Sequence, residues 1–443
     1  MNISRILFIL AFSFCLHNLG GASGQAQENG YSTPAFAGNL PWDSRQRYYE
    51  QIPSDRGGFD EFDSPLDRLF RQAAKQSWVQ FDYVQWNIGQ IPDDLVGAQV
   101  PGVDRPDLGF TINDTTTGAP PLDPTNTEQT SYVPRLGEID SNNLPGVRLT
   151  YGLNTNYGTF EANVFWILQK TRSFAPGPFL FGGATIPGNQ ATRFTTPLID
   201  PNGVTAIPFS INGVPSNQAL IFDQAFRIDY DSSMIGTEFN FVWDDRKPRN
   251  GLHVQHILGF RYLKFDEQMS IIGTDNQVGA NPDDNGGEVS YVKSTTIKSR
   301  AINQIFGPQI GTRFELVDDR VTFGAQPMFT FGFNNLDARV STTNLFAADD
   351  PTTPDINEAT DPSSNGANET QFSPVLSLAL YTKIRVTKSM HFYGSYDVLF
   401  LGGISRPADN INYDQGSVPG FGVVPKETTV LNQGFSVGTV IEF

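Results

Sequence analysis

Beyond residue 26 the chain has three histidines, His253, His256 and His391, the groups best suited to acid–base or metal chemistry near neutral pH. None has the surroundings that such chemistry needs. No pair stands at metal-ligand spacing with a carboxylate nearby, and no serine or cysteine nucleophile is set out with a histidine and an acid. No glycine-rich phosphate loop joins a strand to a helix. The acidic stretch 275–288, with Asp283, Asp284 and Glu288, offers oxygen ligands but not the spacing of a calcium loop, and reads as a solvated loop. The sequence therefore predicts no catalytic residue, no metal and no cofactor.

A second set of residues is more regular. Arg148, Glu161, Arg227, Asp229, Glu238, Arg261, Arg313, Glu315, Lys383, Arg385 and Asp397 each stand in stretches where apolar residues recur at every second position. On a strand, successive side chains point to opposite faces, so these charges share one face and the apolar residues the other. Charges of both signs enclosed at low dielectric must be paired or hydrated. Two readings stay open: a salt-bridged network filling a narrow barrel, or a constriction that selects solutes by size and charge.

The elements that would position these charges are strands. The chain closes on Phe435, Val437, Thr439, Ile441 and Phe443 alternating with Ser436, Gly438, Val440 and Glu442. That ending resembles the last strand of bacterial outer-membrane barrels, in which a closing aromatic, here Phe443, serves as an assembly signal. At the other end Arg5, an apolar run over 6–16 and small residues over 20–24 predict a secretory signal peptide, residues 1–26, carrying the only cysteine, Cys15. No later stretch is long and apolar enough for a transmembrane helix. Hydrophobic residues make up 39% of the chain but aromatics 12%, with 35 Phe, which suits strands that are apolar at alternate positions only. The net charge of −17 excludes a nucleic-acid partner, which requires a basic face.

Residues 27–76 predict a polar periplasmic extension with a short helix at about 64–75, opened by Ser64 and Pro65. From residue 77 to 443, ten alternating segments follow. In the stretch 221–243 the apolar parity changes from even, through Tyr230, to odd, from Ile235. This reads either as a hairpin at Asp231–Ser233 or as one strand with a bulge. Taking it as one bulged strand places the short links 154–158, 244–251, 317–320 and 387–389 on the periplasmic side. The long segments 89–144, 171–219, 267–298, 334–370 and 402–428 then fall outside, the asymmetry of outer-membrane barrels. His253 and His391 then lie near periplasmic strand ends. A further pairing at 108–113 would raise the count to twelve. A soluble periplasmic β-sandwich or jelly roll also alternates; the leader, the closing Phe443 and the loop asymmetry taken together favour the barrel.

Trp78-Val-Gln-Phe-Asp-Tyr83-Val-Gln-Trp86, followed by Ile91-Pro92 and Leu95-Val96, and the later Leu258-Gly-Phe-Arg-Tyr-Leu263, resemble motifs of the putative beta-barrel porin-7 family. The resemblance implies a barrel from about 78 to 443 and a porin, and carries no catalytic residue or ligand. The expectation is thus an all-β, up-and-down antiparallel transmembrane β-barrel of about ten strands in the cell outer membrane, with short periplasmic turns and long external loops. Its expected partners are outer-membrane lipid, the barrel-assembly machinery and small solutes. Its expected role is a passive channel, with a closed-lumen surface or structural barrel as the alternative.

Overall fold

The computed structural model describes residues 73–113, 128–139, 143–175, 203–222, 225–243, 251–280, 288–345, 362–415 and 420–443. The strands are β1 (Ser77–Asn87), β2 (Phe110–Asn113), β3 (Glu128–Tyr132), β4 (Leu144–Asn154), β5 (Gly158–Phe174), β6 (Gly203–Ile211) and β7 (Val214–Phe222). They continue with β8 (Ala225–Trp243), β9 (Leu252–Ala280), β10 (Glu288–Val317), β11 (Val321–Thr330), β12 (Phe333–Thr343), β13 (Ser363–Phe372) and β14 (Val375–Arg385). The last are β15 (Met390–Ser405), β16 (Ile411–Asn412), β17 (Asp414–Gln415), β18 (Gly422–Val423) and β19 (Glu427–Glu442).

A wall that crosses a bilayer must satisfy all of its backbone groups internally, and a closed sheet does so. The antiparallel order β11-β14-β15-β19-β1-β4-β5-β8-β9-β10 is closed by pairing of β10 with β11, giving the expected ten-strand barrel. β12 continues β11 and β13 continues β14, past interruptions at Phe331–Gly332 and at Ser373–Pro374. Pro374 has no N–H to give, while the Phe331 N–H still reaches the Pro308 carbonyl at 2.9 Å. β2 does form within the predicted 108–113 segment, but outside the wall, so the count stays at ten. Of the predicted helix only its end is described, with Ala73 and Ala74 helical. The signal peptide and most of the 27–76 extension lie outside the described residues.

The parity change in β8 has a different cause from the bulge expected. β8 pairs with β9 in unbroken register from Ala225–Thr274 to Val242–Ile257. Even-numbered residues point inward along the whole strand: Phe226, Ile228 and Tyr230 at one end, Asn240 and Val242 at the other. What changes is the surroundings of the two faces. Near the short turns the outer face is apolar (Ile235, Phe239, Trp243); beyond it the outer face is polar (Arg227, Asp229, Asp231) and the inner face apolar. The bulge lies on the neighbouring strand, where the β5–β8 register shifts between Ile167 and Lys170.

The other strands invert at the same level. On β9 the outer face runs Leu252, Val254, His256, Leu258, Phe260, Tyr262 and then Lys264, Asp266, Gln268. From Leu252 to Tyr262, at about 3.3 Å per residue and a tilt of about 40°, the apolar belt is about 25 Å tall, the thickness of an outer-membrane barrel's lipid band. Exposed rings edge it on both sides: Tyr83, Trp166, Phe306, Phe333 and Phe372 above, Phe160, Trp243, Phe323, Phe392 and Phe443 below. The described parts of segments 267–298 and 334–370, expected as loops, are therefore largely wall strand that has left the belt. The turns 155–157, 318–320 and 386–389 at one end are short, and the connections at the other are long, which makes the first end periplasmic.

Above the belt, three external connections fold together. β2, β3, β6, β7 and β17 form one mixed sheet, with β6 pairing β7, β3 and β17. The Ala98 N–H donates to the Pro208 carbonyl at 2.8 Å. The Asp107 carboxylate takes hydrogen bonds from Arg105 at 2.8 Å and Arg135 at 2.7 Å. The Arg105 hydrogen bond is the main reason its pKa is held well below the usual carboxylate range, and Arg135 adds to the effect. The described parts of these segments thus pack into a sheet and are not solvated loops.

The inversion makes opposite predictions for one face of one strand. Phe239→Arg, within the belt, should cost about 2–4 kcal/mol, and Ser233→Arg, just above it, at most about 1 kcal/mol. Denaturant titration of protein folded into lipid vesicles measures both.

Candidate functional site: the barrel lumen

Inside the belt, inward positions from all ten wall strands carry polar groups, and they are joined across the lumen. Arg148 on β4 donates from Nε to Asp82 Oδ2 on β1 (2.8 Å), from Nη1 to Asp397 Oδ2 on β15 (3.2 Å) and from Nη2 to Ser436 Oγ on β19 (2.8 Å). Arg313 on β10 reaches across to Glu161 on β5 in a two-pronged pair of 2.9 and 2.7 Å, and donates from Nε to Gln326 on β11 at 2.8 Å. Arg261 on β9 bonds Glu238 on β8 (2.8 Å) and Ser377 on β14 (2.9 Å). Glu315 accepts from Lys383 Nζ at 3.0 Å and from the Tyr381 hydroxyl at 2.6 Å. Two-pronged arginine–carboxylate pairs fix geometry as well as charge.

The expected charges divide accordingly. Arg148, Glu161, Glu238, Arg261, Arg313, Glu315, Lys383 and Asp397 face the lumen and are paired there. Arg385 follows the same parity but is exposed at the periplasmic end of β14. Arg227 and Asp229 do not face the lumen. They pair with each other at 3.0 Å on the outer face of β8, above the belt, where the face opposite the apolar one is the outside. The three histidines are held apart: His253 points inward near the periplasmic end, His391 contacts Glu442 at 3.4 Å, and His256 points to lipid. Among the described residues no three metal-ligating side chains converge. Residues 281–287, with Asp283 and Asp284, lie outside the described residues.

Above the ion pairs the lumen turns apolar. Inward residues of nine of the ten wall strands form one packed layer, with Trp86, Phe165, Met234, Phe265, Ile305 and Leu401 among its largest members. Rings fill so narrow a barrel by lying on inward glycines of the next strand. A Cβ at Gly236 would overlap the Phe165 ring, and one at Gly324 the Tyr381 ring. A still larger apolar cluster lies above, including Ile207, Phe209, Leu220 and Phe421 of the external segments.

Between the two apolar layers sits an ion pair missing from the sequence-based set. β15 bends at Gly402–Gly403, where Gly403 takes a φ of 59°, and the chain turns into the barrel. Arg406 then bonds Glu267 on β9 through two contacts of 3.0 and 2.9 Å, and donates to the Gly89 and Gln90 carbonyls at 3.0 and 2.9 Å. Asp82 was legible by parity, standing with Gln80 opposite Phe81 and Tyr83. Glu267 continues the parity of Arg261, Leu263 and Phe265. Arg406 carries no local signal, because its partner is 139 positions away.

The free space left in the charged half is a cavity of about 140 Å³, lined by Trp78, Gln80, Asn163, Arg313, Lys383 and others. Side-chain exposure is greatest at the periplasmic end, with Lys383 at 30% and Glu315 at 16%, and least between the apolar layers, with Arg406 at 2% and Glu267 at 0%. Water therefore enters from the periplasmic end and fades toward the apolar layer.

A closed antiparallel barrel, lipid-facing outside and polar within, defines an outer-membrane β-barrel protein. The sequence pattern of the family described as putative beta barrel porin-7 matches residues 78–443, and the chain belongs to that family. No curated protein matches it. Among solved structures it is similar to the outer membrane protease OmpT from Escherichia coli (7% identity, 84% of this chain and 97% of that one, TM-score 0.36). It is also similar to a Pseudomonas aeruginosa FadL homologue (10%, 83% and 90%, 0.22) and to the P. putida toluene transporter TodX (8%, 86% and 92%, 0.18). Likeness at this level bears on no function.

Removing one member of a buried ion pair strands the other. Arg406→Met should cost about 3–5 kcal/mol, and Arg406→Met with Glu267→Met should recover most of the loss. Unfolding of the two variants in lipid vesicles tests this.

Proposed function

We propose that this protein is a closed-lumen surface barrel: the wall anchors an ordered external cap in the outer membrane, and the cap makes the contacts that matter. The observation that carries this reading is the buried apolar layer contributed by nine wall strands above the ion pairs, an environment that disfavours a hydrated solute. Below it the lumen carboxylates Asp82, Glu161, Glu238, Glu315 and Asp397 each have a cationic partner, Asp82 and Asp397 sharing Arg148, which suits a structural filling better than a constriction that must leave charges free for a passing ion. Phe443 at the periplasmic rim, 65% exposed, serves the assembly machinery, and lipid is the other standing partner. The proposal includes no catalytic step and no cofactor.

The porin reading draws its support from the family description and from the charged cavity open to the periplasmic side. It would require the layer around Phe165 and Phe265 to part. Purified full-length protein in planar bilayers should therefore show no openings, whereas Phe165→Ala with Phe265→Ala should produce them. Steady single-channel openings of the unaltered protein would sink the closed reading and favour the channel.

A further inference from the structure

The charged half of the lumen holds more hydrogen-bond donors than its own acceptors use. Its cavity of about 140 Å³ is walled by the cations Arg148, Arg261, Arg313 and Lys383 and by the carboxylates Glu161, Glu238 and Asp397, four charges against three. The other lumen carboxylates of the belt, Asp82 and Glu315, bond Arg148 and Lys383 but do not line the cavity. An arginine has five N–H groups and a lysine three. Arg313 gives three, to Glu161 and Gln326, and Lys383 gives one, to Glu315. Arg261 gives two, both from Nη2, to Glu238 and Ser377. It is 3% exposed, and its Nε and Nη1 are buried without a partner among the described residues. Trp86 Nε1, on the same cavity, is in the same position. Against these donors stands one buried unpartnered acceptor of the cavity wall, Asn163 Oδ1.

Unmet donors are costly where water does not reach them, and so is an unbalanced charge. We propose that this cavity is a binding site for a small monocarboxylate entering from the periplasm, its carboxylate set against Arg261 and the indole N–H of Trp86. Three features select that class. The wall has a surplus of one positive charge, which a monoanion cancels and a dianion overshoots. The inner end is apolar: Leu263 follows Arg261 on the inward face of β9, and Phe165 shares its rung through Gly236. A short alkyl or aryl body is sheltered there, as an inorganic anion is not. A cavity of about 150 Å³ holds a molecule of benzene's size, so that body has only a few carbons. Lys383, the most exposed of these cations, stands at the mouth and draws an anion inward. The site lies below the apolar layer and stands whether or not that layer parts.

Saturation-transfer NMR of butyrate, with full-length protein in lipid nanodiscs, tests it. Butyrate should bind saturably in the millimolar range and yield only to higher concentrations of inorganic phosphate. Arg261→Lys keeps a cation beside Glu238 but lacks Nε and Nη1, and should weaken binding about tenfold; Trp86→Phe should weaken it about threefold. Arg300→Lys, paired with Asp266 on the outer face, should change nothing. Heat-modifiable gel migration checks that each variant folds, and if Arg261→Lys does not, Trp86→Phe decides alone. No saturable butyrate signal, which would leave the cavity to water, overturns the proposal. So does binding unchanged in both lumen variants, or tighter binding of phosphate. Planar-bilayer openings test the apolar layer alone, so the closed reading and this one fail separately.

Discussion

The whole structure answers to one constraint: a strand that leaves the bilayer must exchange the surroundings of its two faces while its backbone stays paired. Within the belt, lipid lies outside and polar side chains lie within. A few residues higher, water lies outside and an apolar core within. Because side-chain direction alternates strictly, a strand can meet this in two ways. It can insert a residue and turn its faces over, or it can keep its register and change residue type. β8, β9 and β10 keep register over their shared length and change type. Their sequences therefore switch parity although their backbones do not.

This switch also determines what the lumen holds. Ten strands enclose little more than side chains, so the polar inward positions of the belt must satisfy one another. They do so across the barrel, as Arg313 of β10 does with Glu161 of β5. Once above the belt, the same inward positions carry Phe265, Met269 and Ile271, and pack as a soluble core would. The external segments supply the remaining half of that core. Arg406 and Glu267 sit between the two apolar layers and tie the last external connection to β9 and to the exit of β1.

Much of this was legible in the sequence. The count of ten strands, the membrane belt and the side of the wall on which eight of the eleven charges stand followed from alternation and connection length, whereas their pairing did not. The errors share a cause. Arg227, Asp229 and the bulge expected near Ser232 all came from assuming that the apolar face is the lipid face along the whole strand. Above the belt the opposite holds, and parity alone does not say where the belt ends. The wall strands beyond Asp266 and Asn334 were read as loops because their outer faces are polar, as they must be in water. The cap sheet and Arg406 were beyond reach for another reason: they depend on contacts between segments hundreds of residues apart, such as β17 with β6.

A site-by-site scan of β9 from Leu258 to Ser270 tests the central claim most directly. Single cysteines carrying a fluorophore would be read with a lipid-phase quencher and a water-phase quencher. Lipid quenching should fall on even positions up to Tyr262 and then stop, with water quenching taking over the same even positions from Lys264. A transfer of exposure from even to odd positions at that level would mean that the strand turns over, and would contradict the account.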